Sequence, residues 1–137
     1  MEKEIRDKKI NNRKCLVFAL FAHELNPDST IEEFCSEGVL ELDDNLKKVY
    51  NDVLSKLSII DGIISSVLEN YTLDRLSTFD RNLIRYATYE LKYKKMNSKV
   101  VINEALELTK EYSELDDKLQ HKFNNKLLDS IANKLLS

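Results

Sequence analysis

Apolar residues recur along this chain at steps of three and four. No segment alternates with period two for long, so the pattern predicts helices throughout and no sheet. From about Asn11 to Leu25, Cys15, Leu16, Ala19, Leu20 and His23 make one stripe, which Phe18, Phe21 and Ala22 widen. Asn26 and Pro27 stop that helix. Thr30 and Glu33 have capping-box spacing for a short helix carrying Ile31, Phe34 and Cys35, with Gly38 placed to end it. Between Asp43 and Tyr71 the apolar positions are Leu46, Val49, Tyr50, Val53, Leu57, Ile60, Ile64, Val67, Leu68 and Tyr71. A break is expected near Ser58, because Asp61 and Gly62 weaken helix propensity there and two antiparallel helices bury more surface than one long rod.

Ser77, with Asp80 three residues on, opens the next predicted helix, whose inner face is Leu83, Ile84, Ala87 and Leu91. Lys92, Lys94 and Lys95 crowd its end, where cations interact well with the helix dipole. Asn97 or Ser98 caps a helix over Lys99 to Tyr112. The last runs from about Asp117 to Leu135, with Leu119, Phe123, Leu127, Ile131 and Leu135 at steps of four. Leu20, Val53, Leu57, Leu83, Ala87, Val101, Leu108 and Leu127 are the expected core. The reading is all-α: one compact domain over residues 1–137, of six to seven helices.

Composition narrows this picture. With 2 Gly and 1 Pro in 137 residues and 42% hydrophobic content, disorder and turn-rich folds are disfavoured. No run approaches an apolar membrane span, and the charged start MEKEIRDKK lacks the apolar stretch of a signal peptide, so a cytoplasmic protein is expected. Cys15 and Cys35 lie in apolar helical patterns without metal-ligand spacing and are expected as buried free thiols.

Enzyme signatures are missing. HELNP at residues 23–27 begins like the zinc motif HExxH but has Pro27 in place of the second histidine. His121 is the only other histidine, and no GxSxG, P-loop or GxGxxG occurs. The pairs Asp43–Asp44 and Asp116–Asp117 fall at expected helix starts, where capping accounts for them. No catalytic residue, metal or cofactor is expected; a binding protein is. The formal net charge of −3 is unevenly spread: +3 over residues 1–23, −9 over 24–80 and +3 over 81–137. Such a division suits a polyanion on one face and a basic partner on another.

LDRLSTFDRNLIRYATYELKY, KVVINEALEL and HKFNNKLLDSIANKL, in this order over residues 73–135, closely resemble the NusB family of bacterial transcription antitermination factors. NRKCLVFALFAHEL at 12–25 resembles that family's first helix; the acidic middle is poorly matched. The resemblance implies an all-α fold of two helical halves packed together. It implies binding of the single-stranded boxA element of ribosomal RNA leaders together with ribosomal protein S10 (NusE), helping to load an antitermination complex on RNA polymerase.

Residue by residue, the resemblance implies RNA contacts from the basic start of the first helix, where Arg13 matches directly and Lys8, Lys9 and Lys14 are neighbours. The family's denser arginine cluster is diluted here by Ile10, Asn11 and Asn12. Phe21, and His121, Lys122 and Phe123 of the HKF stretch, match the family's RNA surface; for both phenylalanines, stacking on a base and packing in the core stay open. Asn125 matches a family asparagine, and Lys126 replaces the glycine after it. Asp74 and Asp80, expected exposed, match acidic positions facing ribosomal protein S10, although capping also accounts for Asp80. Arg81, Arg85, Tyr89 and Glu90 fit the same motif, either facing the partner or bracing the two halves.

Two alternatives stand beside this reading. One is a helical protein-interaction scaffold with weakened or lost RNA binding, suggested by the thin arginine cluster. The other is an RNA cytosine methyltransferase, some of which begin with such a domain; a chain ending at Ser137 leaves no room for their methyl-donor-binding domain.

Overall fold

The computed structural model describes residues 1–28, 30–31, 44–113 and 119–136. The short helix expected after Thr30, Cys35, and the acid pair Asp116–Asp117 lie outside the described residues or straddle their edge. The described residues form six α-helices and one 3₁₀ turn, with no strand. They divide into two compact units, residues 1–55 and 56–137. None of the described helices is long and apolar enough to cross a membrane.

The first unit contains α1 (Glu2–Leu25) and α2 (Asp44–Ser55), which pack on each other. Its core holds Cys15, Leu16, Leu20, Leu46, Tyr50 and Val53, and the Cys15 thiol is free. Helix α1 starts nine residues before the expected Asn11. Residues 2–9 are mostly Glu, Lys and Arg, good helix formers whose exposed side chains carry no apolar stripe for periodicity to detect. Glu2 and Glu4 in the first turn also favour the positive end of the dipole. At the other end Asn26 leaves helical geometry (φ −142°, ψ 91°), and its Oδ1 accepts from the Asp28 N–H at 3.3 Å.

The second unit contains α3 (Leu57–Val67), the 3₁₀ turn (Leu73–Arg75), α4 (Thr78–Tyr93), α5 (Ser98–Tyr112) and α6 (Leu119–Leu136). Helices α4, α5 and α6 pack pairwise, and α3 lies against α4 and α6. The break expected near Ser58 falls at Lys56, and Asp61 and Gly62 sit inside α3. Gly62 faces open space, so it marks no close approach. Asp61 has a tertiary reason to stay: its carboxylate takes a bidentate pair from Arg85, Nε to Oδ1 at 2.8 Å and Nη2 to Oδ2 at 2.9 Å, joining α3 to α4.

Of the expected core, Leu20, Val53, Leu83, Ala87, Val101, Leu108 and Leu127 are buried. Leu57 is only half-buried, because it opens α3 and lacks a preceding turn to cover it. On α6 the stripe at steps of four is corrected. Leu119 is 64% exposed, and the buried face is Asn124, Leu127, Leu128, Ile131 and Ala132. Each four-residue step overshoots a turn by about 40°, so such a stripe winds off the core within the length of the helix.

Beneath this packing lies a polar network. Ser77 caps α4: its Oγ accepts from the Asp80 N–H at 3.1 Å and donates to Asp80 Oδ2 at 2.6 Å. Ser113, at the end of α5, donates to the same carboxylate at 2.8 Å. Asn124 of α6 donates through Nδ2 to Asp80 Oδ1 and to Thr109 Oγ1, both at 3.1 Å. Thr109 passes its own proton to the Ala105 carbonyl at 3.0 Å, and Gln120 Nε2 donates to Asn124 Oδ1 at 3.0 Å.

Leu83→Ala is expected to destabilise the protein by roughly 2 to 5 kcal/mol in denaturant unfolding, as core truncations do. A loss below about 0.5 kcal/mol would be the mark of a surface position.

Candidate nucleic-acid interface

Helix α3 ends at Val67, its C-cap Leu68 is extended (φ −73°, ψ 128°), and the chain turns back through Asn70 in the left-handed region at φ 56°. Asparagine tolerates that conformation better than most residues. The turn delivers Tyr71 to the flank of α6, where its ring meets Phe123 at a centroid distance of 5.5 Å and a tilt of 53°. The Arg75 guanidinium stands 5.5 Å from the Tyr71 ring centroid, and Tyr71 Oη donates to the Arg75 carbonyl at 3.2 Å. Together with Val67, Leu68, Glu69, Asn70, Lys126, Leu127 and Ser130 these rings line a cleft of about 230 Å³. Tyr71 is 38% exposed and Phe123 half-buried.

The rotation of α6 decides what this cleft contains. Asn124 is held inward by Asp80 and Thr109, so Phe123, about 100° round the helix, is set toward one side. Lys122 and Lys126, one turn apart, are both exposed. The outcome is a pair of partly exposed aromatic faces beside two cations, Arg75 and Lys126, and one carboxylate, Glu69, with Lys122 exposed next to Phe123 in the chain. That combination suits unpaired bases: rings stack on them while cations hold the backbone. His121 is half-buried, with Nδ1 enclosed and without a hydrogen-bond partner among the described residues. The buried asparagine is Asn124, whereas Asn125, singled out from the sequence, is half-buried.

The remaining expected RNA residues belong to the first unit. Lys8 and Lys9 are exposed on α1, Lys14 and Phe21 are half-buried, and Arg13 is buried with 9% exposure. Arg13, expected at RNA phosphates, is thus far less exposed than Lys8 and Lys9. Position 13 lies three, four and seven residues before Leu16, Val17 and Leu20, on the apolar stripe itself.

The acidic surface is corrected. Asp74 is exposed on the 3₁₀ turn, but Asp80 is 2% exposed and Glu90 4%. Asp80 serves the interior network, and Glu90 lies on the stretch of α4 from Asn82 to Glu90 in which only Arg85 escapes burial. Arg81 braces its own unit, Nη1 donating to the carbonyls of Leu73 at 3.3 Å and Leu76 at 2.9 Å. Arg85 is committed to Asp61 and to Asn82 Oδ1 at 3.1 Å.

Sequence reasoning missed Tyr71, Arg75 and Lys126 as site residues. Tyr71 fits an apolar stripe continued four residues past the true helix end, and Lys126 drew notice only as a missing glycine. An aromatic residue after Glu69–Asn70 with an arginine four residues on was the available signal.

The chain matches the model of the NusB family over residues 10–133. It is 37% identical over 126 residues to the transcription antitermination protein NusB of Fervidobacterium nodosum, covering 88% of this chain and 86% of that one. Identity to the protein of the same name from Ligilactobacillus salivarius is also 37% over 126 residues, with 87% and 93% covered. Among solved structures, NusB of T. maritima superposes with a TM-score of 0.75 at 36% identity, covering 91% of this chain and 90% of that one. A chain in the crystal structure of a plectonemic RNA supercoil has the same fold, with a TM-score of 0.81 at 24% identity over 94% and 96% of the two chains.

The burial difference between the two aspartates has a direct test. Asp80→Ala is expected to cost roughly 2 to 4 kcal/mol of stability, since it strands the Ser77, Ser113 and Asn124 donors. Asp74→Ala should stay within about 0.5 kcal/mol. Equal effects in chemical denaturation would contradict the network.

Proposed function

The chain belongs to the NusB family, and from that premise we propose that it is a transcription antitermination factor that binds the boxA element of ribosomal RNA leaders together with ribosomal protein S10 (NusE) and helps load an antitermination complex on RNA polymerase. It works by binding, in the cytoplasm, without a reaction of its own. The observation that carries the RNA half is the Tyr71–Phe123 pair with Arg75 and Lys126 beside it, and with Lys122 exposed one turn before Lys126. Lys8, Lys9 and Lys14 of α1 add cationic charge to this reading. For ribosomal protein S10, exposed Asp74 is the residue suited to attract a basic surface, mainly through association rate and specificity.

A second reading, a helical interaction scaffold with weakened or lost RNA binding, is favoured by the burial of Arg13. Titrating a boxA-like oligonucleotide over a range of salt, with and without ribosomal protein S10, separates the two. RNA binding that appears at no salt concentration, while ribosomal protein S10 is still captured, would select the scaffold.

Phe123→Ala is expected to weaken RNA binding by roughly 1 to 3 kcal/mol with little change in salt slope, because stacking releases no counterions. Lys122→Ala with Lys126→Ala should instead flatten the log–log salt slope by up to about 1.4, near 0.7 for each phosphate contact. Melting curves must show both variants folded. Unchanged affinity and slope in folded variants would remove the cleft from the RNA surface. Asp74→Lys should slow capture of ribosomal protein S10 in low salt at unchanged Tm, and an unaltered rate would take Asp74 out of that interface.

A further inference from the structure

A second concavity lies at the far end of the same unit, where α4 stops, α5 starts and α6 runs out. It has a volume of about 570 Å³ and an aliphatic floor that includes Leu91, Met96 and Leu135, with Lys92 and Lys95 on its rim. Asp80 is near the start of α4 and Phe123 near the start of α6. The groove lies at the opposite ends of both helices, roughly 20 Å away at 1.5 Å per residue. It therefore belongs to neither the RNA cleft nor the Asp74 surface.

We propose that this groove is a docking site for an acidic, amphipathic segment of a partner protein. Charge complementarity commits it to that occupant. Lys95 is exposed on the rim with Lys94 exposed beside it, and neither has an ion-pair partner among the described residues. Asn97 and Ser98 bring the start of α5 to the groove, where the positive end of that helix favours a carboxylate. The floor accepts the apolar side of such a segment, as helix-binding grooves do.

The backbone adds a second argument. Lys95 has φ 50°, a left-handed conformation that glycine adopts without strain and that the Cβ of a lysine disfavours. A lysine kept where glycine is cheaper points to a use for its side chain. Nucleic acid is the poorer fit. The residues lining this groove include no aromatic ring on which a base could stack.

The test is a titration of ¹⁵N-labelled full chain with three probes: a synthetic peptide carrying leucines at helical spacing among glutamates, the same peptide with serine for leucine, and oligouridylate. The leucine peptide is expected to shift the amides of residues 91–98 and 132–136, and the serine peptide to bind at least about fivefold more weakly. Lys95→Gly relieves the backbone while removing the charge, so its Tm should hold or rise while peptide affinity falls severalfold. Lys92→Glu should weaken binding further. Equal binding of the serine peptide, oligouridylate shifting these amides where the leucine peptide does not, or Lys95→Gly leaving affinity intact would each overturn the proposal.

Discussion

The Asp80 carboxylate accepts hydrogen bonds from Ser77, Ser113 and Asn124, so the start of α4, the end of α5 and the first turns of α6 share one buried charge. Apolar packing alone would bring these helices together, because Leu83, Leu108, Leu127 and Ile131 bury well against many neighbours. It would not fix how far each helix is rotated about its axis. A buried carboxylate is costly unless its oxygens are satisfied, and only one setting of the three helices satisfies them. The rest of the second unit inherits that setting: which side of α6 carries Phe123, and which side carries Lys122 and Lys126.

Much of the helical scaffold was legible from periodicity and caps. The starts of α4 at Ser77 and α5 at Asn97 were readable because capping chemistry is local, confined to a side chain and the N–H groups just beyond it. The start of α1 was not, since a solvated helix made of Glu, Lys and Arg has no buried face to betray it. Asp80 was misplaced because it is charged, and a sequence read alone assigns charges to the surface, although its position fell three residues after a cap. Tyr71 was hidden differently. The left-handed turn at Asn70 that brings it to α6 is a matter of tertiary geometry, and the spacing of apolar residues passes through that turn as though the helix continued.

The +3 balance of residues 81–137 also changes meaning once the cations are placed. Arg81 and Arg85 hold carbonyls and a carboxylate of their own unit, and are spent on structure. Lys126 lines the aromatic cleft, whereas Lys92 and Lys95 line the aliphatic groove. Two basic surfaces with different floors, one of rings and one of aliphatic chains, would select different polyanions. Net charge counts them as one.

The inward lock on Asn124 also shapes how the sequence can drift over time. Positions 80, 113 and 124 are energetically coupled: a change at any of them removes a hydrogen-bond partner from the others, so their effects on stability do not add. Positions 122 and 126 are under no such constraint, because their side chains stand in solvent on a helix whose rotation is set elsewhere. Lysine, glycine or a neutral residue there changes the charge of that face while the fold stands still, so this surface can be altered by single steps that the buried network does not feel.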